Sequence, residues 1–409
     1  MDLTATLGLD AARSLDPVRF RVAGHAPRAA LRPLDRDELA EALRGATRER
    51  VAVVPWGAGV GLARMPAPAR YDLALDLTGL DHVVAYEPDD FTLTAECGVT
   101  LAALTAAVAA RGQELPLEGA HAGRATFGGV LAANTSGPRR LRFGSPRDRI
   151  LGGRFVLGDG TPARTGGRVV KNVAGYAIHR LLCGSRGALA AIVEATIKLA
   201  PAPHARLALA WGLDAVALAD ATRFASLPRL EPAWWSVLGR EAARGVAGLP
   251  DAPFVMLAGL EDDPEWVATQ RARFVDALGA PHASVADTDA LVWSRAVTDR
   301  DAHDAGVSMR FVSAHVSPAS LAALAREPEA GSLRFIVTGG GLGVEVTPGR
   351  AAAFVDLAHE AGFRLTDVEG LDSFVPPIPG QSGVAALRAR IRAALDPSAT
   401  FAYGERWIG

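Results

Sequence analysis

The stretch Pro55-Trp56-Gly57-Ala58-Gly59-Val60-Gly61-Leu62, followed by Ala63-Arg64-Met65-Pro66-Ala67-Pro68, decides between two folds. Upstream, Ala29-Ala30-Leu31-Arg32-Pro33 reads as a strand. Asp35 caps a predicted helix reaching Arg48, and Val51-Ala52-Val53-Val54-Pro55 reads as a second, buried strand. A glycine loop after such a βαβ opening invites a Rossmann reading, with Asp76 about twenty residues on in the place of a ribose-binding acid. A Rossmann turn must launch a helix, however, and Pro66 and Pro68 forbid a regular one. The loop is therefore expected to bind an anion, if it binds one, through successive backbone N–H groups without a helix dipole.

Working outward, 14 of the 43 glycines fall between residues 123 and 198. They recur in Ala125-Thr126-Phe127-Gly128-Gly129, Asn134-Thr135-Ser136-Gly137, Arg142-Phe143-Gly144, Lys171-Asn172-Val173-Ala174-Gly175-Tyr176 and Gly184-Ser185-Arg186-Gly187. Glycine weakens helix and strand interiors, so this density predicts main chain lying close against something, either its own core or an extended phosphate-bearing cofactor. Three strands are expected at 73–77, 81–86 and 92–96, then a helix from Thr100 to Arg111 ended by Gly112.

The bulk composition narrows the function classes. Acidic and basic residues nearly balance, for a formal charge of -2, so no global field recruits nucleic acid. Cys97 and Cys183 are the only cysteines and have no CxxC partner, which argues against a disulfide scaffold and against zinc or iron–sulfur ligation. No charge-free run reaches the ~18 residues of a membrane span. The expectation is a soluble cytoplasmic protein, with peripheral docking at the membrane through partners left open.

After Pro201 and Pro203 the texture changes. Strands are expected at 206–211, 254–260, 309–316, 333–338 and 343–347, with helices at 214–224, 264–278 and 350–361, an α+β domain with a largely antiparallel sheet. Gly339-Gly340-Gly341 reads as a hairpin turn, and no Walker lysine follows it. Phe374-Val375-Pro376-Pro377-Ile378-Pro379-Gly380 reads as a stiff linker before a basic helix, 382–395.

In these glycine blocks, in Arg142-Phe143-Gly144-Ser145-Pro146-Arg147-Asp148 and above all in Gly167-Arg168-Val169-Val170-Lys171-Asn172-Val173-Ala174-Gly175-Tyr176, the sequence resembles the vanillyl-alcohol-oxidase (PCMH) type of FAD-binding domain. Within that type it is similar to the E-subunit family of bacterial glycolate oxidases. The resemblance covers residues 25 to 200 and returns weakly at 396–404. It implies an α+β fold: a PCMH-type FAD-binding domain of two α/β subdomains (1–203), an antiparallel-sheet α+β cap domain (204–380), and a C-terminal helix and tail (381–409) returning to the first domain.

The resemblance further implies FAD as cofactor. Pro55, Trp56, Gly57, Ala58, Gly59, Val60, Gly61 and Leu62 would reach the pyrophosphate, Thr126 and Asn134 phosphate or ribose. Gly128, Gly129, Gly137, Gly144 and Gly175 would permit close approach, and Arg142 would offset phosphate charge or form a surface salt bridge. Lys171 and Asn172 would lie near the flavin, Ile192 and Val193 would present backbone to it, and Tyr176 stands equally as core. Covalent members use His or Cys where this loop has Ala58 and Val60, so the flavin is expected to be dissociable.

The implied reaction is glycolate, a 2-hydroxy acid, to glyoxylate, by hydride transfer to flavin N5. Relatives that oxidise such acids carry a His-x-x-His metal cluster that residues 204–380 lack, and no metal is expected. Arg310 is the one candidate for the substrate carboxylate; His121, His179 and His303 are available bases, none with a catalytic signature. The implied partners are an FAD subunit of the D type and an iron–sulfur F subunit. Two other readings stay open: a self-sufficient FAD oxidoreductase acting on another hydroxy acid or alcohol, and a non-catalytic scaffold with a degenerate flavin site.

Overall fold

The computed structural model describes residues 7, 10–62, 65, 67–119, 121, 123–167, 175–218, 229–297, 307–312, 320, 323–336, 341–369 and 382–404. The main chain divides into two compact units, one made of Met1–Thr135, Ser145–Ala202 and Pro377–Gly409, the other of Ser136–Gly144 and Pro203–Pro376. The sequence division at residue 203 assigns 136–144 to the first domain, whereas the structure packs Ser136–Gly144 with the second unit.

The first unit contains two sheets. In one, β1 (Ser14–Leu15), β2 (Ala29–Leu31), β3 (Val53–Trp56) and β4 (Leu73–Asp76) lie in the order β1-β2-β4-β3, with β4 parallel to both β2 and β3. Helix α1 (Arg36–Arg48) joins β2 to β3. The Asp35 carboxylate accepts the amides of Asp37 and Glu38 at its N-terminus, and Leu39, Ala42, Leu43 and Ala46 form its buried stripe. Asp76 is buried and ion-paired to Arg32 at 2.7 Å, a structural duty and not a ribose contact.

The other sheet is antiparallel, built from β5 (Val83–Glu87), β6 (Thr92–Glu96), β8 (Ile150–Val156), β9 (Pro162–Gly166) and β10 (Ala191–Lys198) in the order β5-β6-β10-β8-β9. A small pair, β7 (Gln113–Glu114) with β11 (Ala200–Pro201), stands apart. Helices α2 (Leu101–Ala109), capped by the Thr100 hydroxyl, and α3 (Phe127–Ala133) pack on this sheet around Phe127, Leu131, Ile150 and Ile192. The C-terminal helix, Ser382–Leu395, and its tail close the unit. The Val53 amide donates to Thr400 O and the Ala402 amide to Val53 O, extending the parallel sheet past β3. Asp396, buried beneath that tail, accepts the Thr400 and Phe401 amides, and burial raises its pKa.

The second unit is one eight-stranded antiparallel sheet. Its strands are β12 (Ala205–Leu213), β13 (Trp234–Gly239), β14 (Phe254–Asp262), β15 (Ala283–Ala286), β16 (Val307–Val312), β17 (Arg334–Ile336), β18 (Gly341–Val346) and β19 (Arg364–Glu369). They lie in the order β15-β12-β14-β13-β17-β18-β16-β19. Helices α4 (Pro264–Leu278) and α6 (Ala351–Glu360) bury Phe274 and Phe354 in one core, while α5 (Asp287–Ala296) buries Trp293 in a second. This is the antiparallel α+β domain expected from the sequence. The linker 374–380, His303 and Gly339-Gly340 lie outside the described residues; β17 and β18 on either side of the latter pair antiparallel.

Candidate functional site

Strand β3 delivers the chain into the 57–61 loop, where no α-helix begins. Gly59 has φ +77°, a left-handed turn that a side chain would strain, and a Cβ there would lie 2.6 Å from the Trp56 ring. The loop contributes five successive amides, those of Gly57, Ala58, Gly59, Val60 and Gly61. Among the described residues, none of these N–H groups meets an acceptor. Residues 57–60 are partly exposed and Gly61 is exposed. Successive main-chain N–H groups without a protein acceptor can receive an anion.

The first turn of α3 behaves otherwise, though it is as rich in glycine. Phe127 N donates to Val99 O at 2.8 Å, Gly128 N to Cys97 O at 2.8 Å, and Gly129 N to the Thr126 hydroxyl at 3.2 Å. The three leading amides of the helix are thus consumed by the protein. A Cβ on Gly128 would lie 2.6 Å from Cys97 Cβ and 2.9 Å from Cys97 O. That glycine lets α3 close on the turn after β6. Thr126 is buried and its oxygen caps the helix, and a Cβ on Gly57 would collide with this hydroxyl.

A ring of contacts holds the loop in place. Gly57 abuts Thr126 at the start of α3. At the other end of α3, Gly184 N donates to Leu131 O and Arg186 N to Ala132 O. The same 184–187 loop returns to β3, for Gly187, at φ +73°, lies against the Pro55 ring. Beneath the loop, the Trp56 indole N–H donates to the Tyr71 hydroxyl, which donates to Phe20 O, both at 2.7 Å. Phe20 meets the indole edge-on, with ring centroids 5.1 Å apart. Tyr71 and Phe20 carried no sequence signal, since a lone tyrosine and phenylalanine at those separations fit any core.

The remaining sequence candidates divide. Asn134 is the left-handed C-cap of α3, and its carboxamide oxygen accepts from Arg147 N at 3.1 Å. Ile192 and Val193 sit at a bulge between β10 and β8, with side chains in two different cores and Val193 O bonded to Cys97 N. Gly175, at φ +79°, is exposed. Tyr176 is 89% exposed, which removes the core reading. Lys171 and Asn172 lie outside the described residues.

Gly137, Arg142 and Gly144 belong to the second unit. There Arg142 donates to Glu261 O and pairs with Asp262 at 3.3 Å, the ion pair that the salt-bridge alternative describes. Beside it Arg139 and Glu261 make a buried bidentate pair, 2.7 to 3.1 Å, with side chains only 8% and 2% exposed. Sequence reading missed this pair because its members stand 122 positions apart.

Among the described residues neither a base nor a metal centre is assembled. His179 is buried with Nδ1 3.1 Å from the Thr165 hydroxyl, and desolvation lowers its pKa, keeping it neutral. His121 is a turn residue at φ +54° whose carbonyl accepts the Arg124 and Ala125 amides. Burial pushes the Cys183 thiol up to about 12 and the Cys97 thiol well up, so both are inert. Among the described residues no three His, Cys, Asp or Glu side chains gather as metal ligands. Arg310 lies on β16, in register with Gly343 and Asp367. No helix among the described residues is long and apolar enough to cross a membrane.

Residues 27–166 match the family model of the FAD binding domain. Glycolate oxidase subunit GlcE of Escherichia coli is 44% identical over 128 residues, 31% of this chain and 37% of that protein. Glycolate oxidase subunit GlcD of Bacillus subtilis is 34% identical over 194 residues, 47% of this chain and 41% of that protein. A D-2-hydroxyglutarate dehydrogenase of Xanthomonas citri is 34% identical over 167 residues, covering 41% and 35% of the two chains. The match thus spans about two fifths of the length of these relatives. Among solved structures, alkyldihydroxyacetonephosphate synthase superposes over 94% of this chain and 79% of its own with a TM-score of 0.68 at 16% identity. That likeness establishes the PCMH-type fold.

Proposed function

We propose, from the premise that residues 27–166 form an FAD binding domain, that this chain is the FAD-bearing subunit of an oxidoreductase complex acting on a CH–OH donor. The observation that carries the reading is the run of five amides at residues 57–61 that meet no acceptor among the described residues, about a left-handed turn at Gly59. These amides would hold the pyrophosphate, with the Thr126 O–H as a further donor. Bound FAD supplies the hydride acceptor, its N5. The protein's own part is to orient the cofactor: Pro55, Gly187 and Trp56 fix the loop, and Ile192 and Val193 offer main chain near it. No side chain in the loop offers a covalent attachment point, so the flavin is dissociable.

The names of the relatives favour a small 2-hydroxy acid, glycolate to glyoxylate, as the chemistry of the complex. The described residues bring together no base, so substrate oxidation is assigned to joint action with a D-type FAD subunit and an iron–sulfur F subunit. Titrating the purified chain with FAD and following flavin fluorescence tests the cofactor reading: stoichiometric quenching is expected, and a chain that takes up no FAD overturns it. Anaerobic addition of glycolate then tests the division of labour. Slow bleaching that accelerates with both partners is expected; rapid bleaching of the isolated chain would establish a self-sufficient enzyme instead.

A further inference from the structure

We infer that Tyr71 is a positioning residue for the cofactor loop, acting through the Trp56 indole on the left-handed turn at Gly59. The inference rests on the reading of 57–61 as the pyrophosphate loop. Tyr71 lies outside both the loop and every glycine block, yet its hydroxyl is used twice in one line, accepting from Trp56 Nε1 and donating to Phe20 O. Only a neutral hydroxyl can both accept and donate in this way, and desolvation raises the Tyr71 pKa, keeping it neutral. The line fixes the indole about its long axis, while Phe20 fixes it edge-on.

The far edge of that same indole is the nearest neighbour of Gly59, and a single added carbon there would lie 2.6 Å from the ring. Indole orientation therefore sets how the turn at Gly59 sits, and the turn sets where the amides of 57–61 aim. Removing the hydroxyl leaves the indole packed among Phe20, Met65, Ala188 and Tyr403 but frees it to rotate. The packed core persists, and the loop loses its template.

The full-length chain carrying Tyr71→Phe tests this by FAD titration. Its dissociation constant for FAD is expected to rise about fivefold, the equivalent of one ordinary hydrogen bond. Trp56→Phe, which deletes the N–H donor, should weaken FAD as well, and the double variant should be no worse than the weaker-binding single one, because both break the same line. A merely structural role would lower the urea midpoint of each variant without this non-additive loss in FAD affinity. Unchanged FAD affinity in Tyr71→Phe, or losses that add in the double variant, overturn the inference. Failure of the unmodified chain to bind FAD would instead sink the cofactor reading on which it rests.

Discussion

The two glycine-rich blocks of the first unit, 57–61 and 125–129, are similar in composition and opposite in use. In the first, the amides meet no acceptor among the described residues, and the glycine with positive φ shapes an open turn. In the second, every leading amide of α3 is bonded to Val99, Cys97 or Thr126, and Gly128 is small because Cys97 lies against it. Glycine in one place leaves backbone partly exposed, open to a ligand in the proposed reading; in the other it lets a helix close on its own core. The lesson is that glycine density marks close approach, and only hydrogen-bond accounting says what approaches.

The contrast can be broken most directly at Gly128. Gly128→Ala must displace Cys97 Cβ and a backbone carbonyl, so overpacking is expected to cost about 3 kcal/mol of stability, read as a lowered urea midpoint of the FAD-free protein. A variant with an unchanged midpoint but weakened FAD binding would show that this block, too, faces the cofactor. Gly59→Ala is the reciprocal case. The left-handed strain of about 1–2 kcal/mol and the encounter with Trp56 fall on an exposed loop, so FAD affinity should drop at least tenfold with little change in midpoint. An equal loss of both would erase the distinction. Smallest is Thr126→Ala, which removes the cap of α3 and should cost about 1 kcal/mol of stability. FAD affinity within about tenfold of the original would leave Thr126 a cap first and a cofactor donor second; a larger loss would join the two blocks into one binding wall.

A second contrast concerns the arginines of the 136–144 segment. Arg142 stood in sequence as a phosphate partner or a surface ion pair, and the structure gives the latter, beside the buried Arg139–Glu261 pair. Sequence adjacency to a cofactor motif does not tell where this segment packs, because the chain leaves the first unit at Ser136 and returns at Ser145 for a nine-residue excursion. Nothing local signals such a detour. Asn134 shows a related ambiguity: a left-handed C-cap and a ligand-binding amide have the same sequence preference.

The sequence by itself determined the elements whose causes are local. The Asp35 and Thr100 caps, the apolar stripe of α1, the absence of an α-helix in the 57–61 loop and the α+β pattern beyond residue 203 follow from spacing, side-chain oxygens and proline, all within a few residues of where they act. Tertiary structure alone decided which amides stay unpaired. It set Val99 and Cys97 against α3, Tyr71 against Trp56 and Glu261 against Arg139, because an acceptor is supplied by whatever segment the fold brings within 3 Å, and sequence distance places no limit on that.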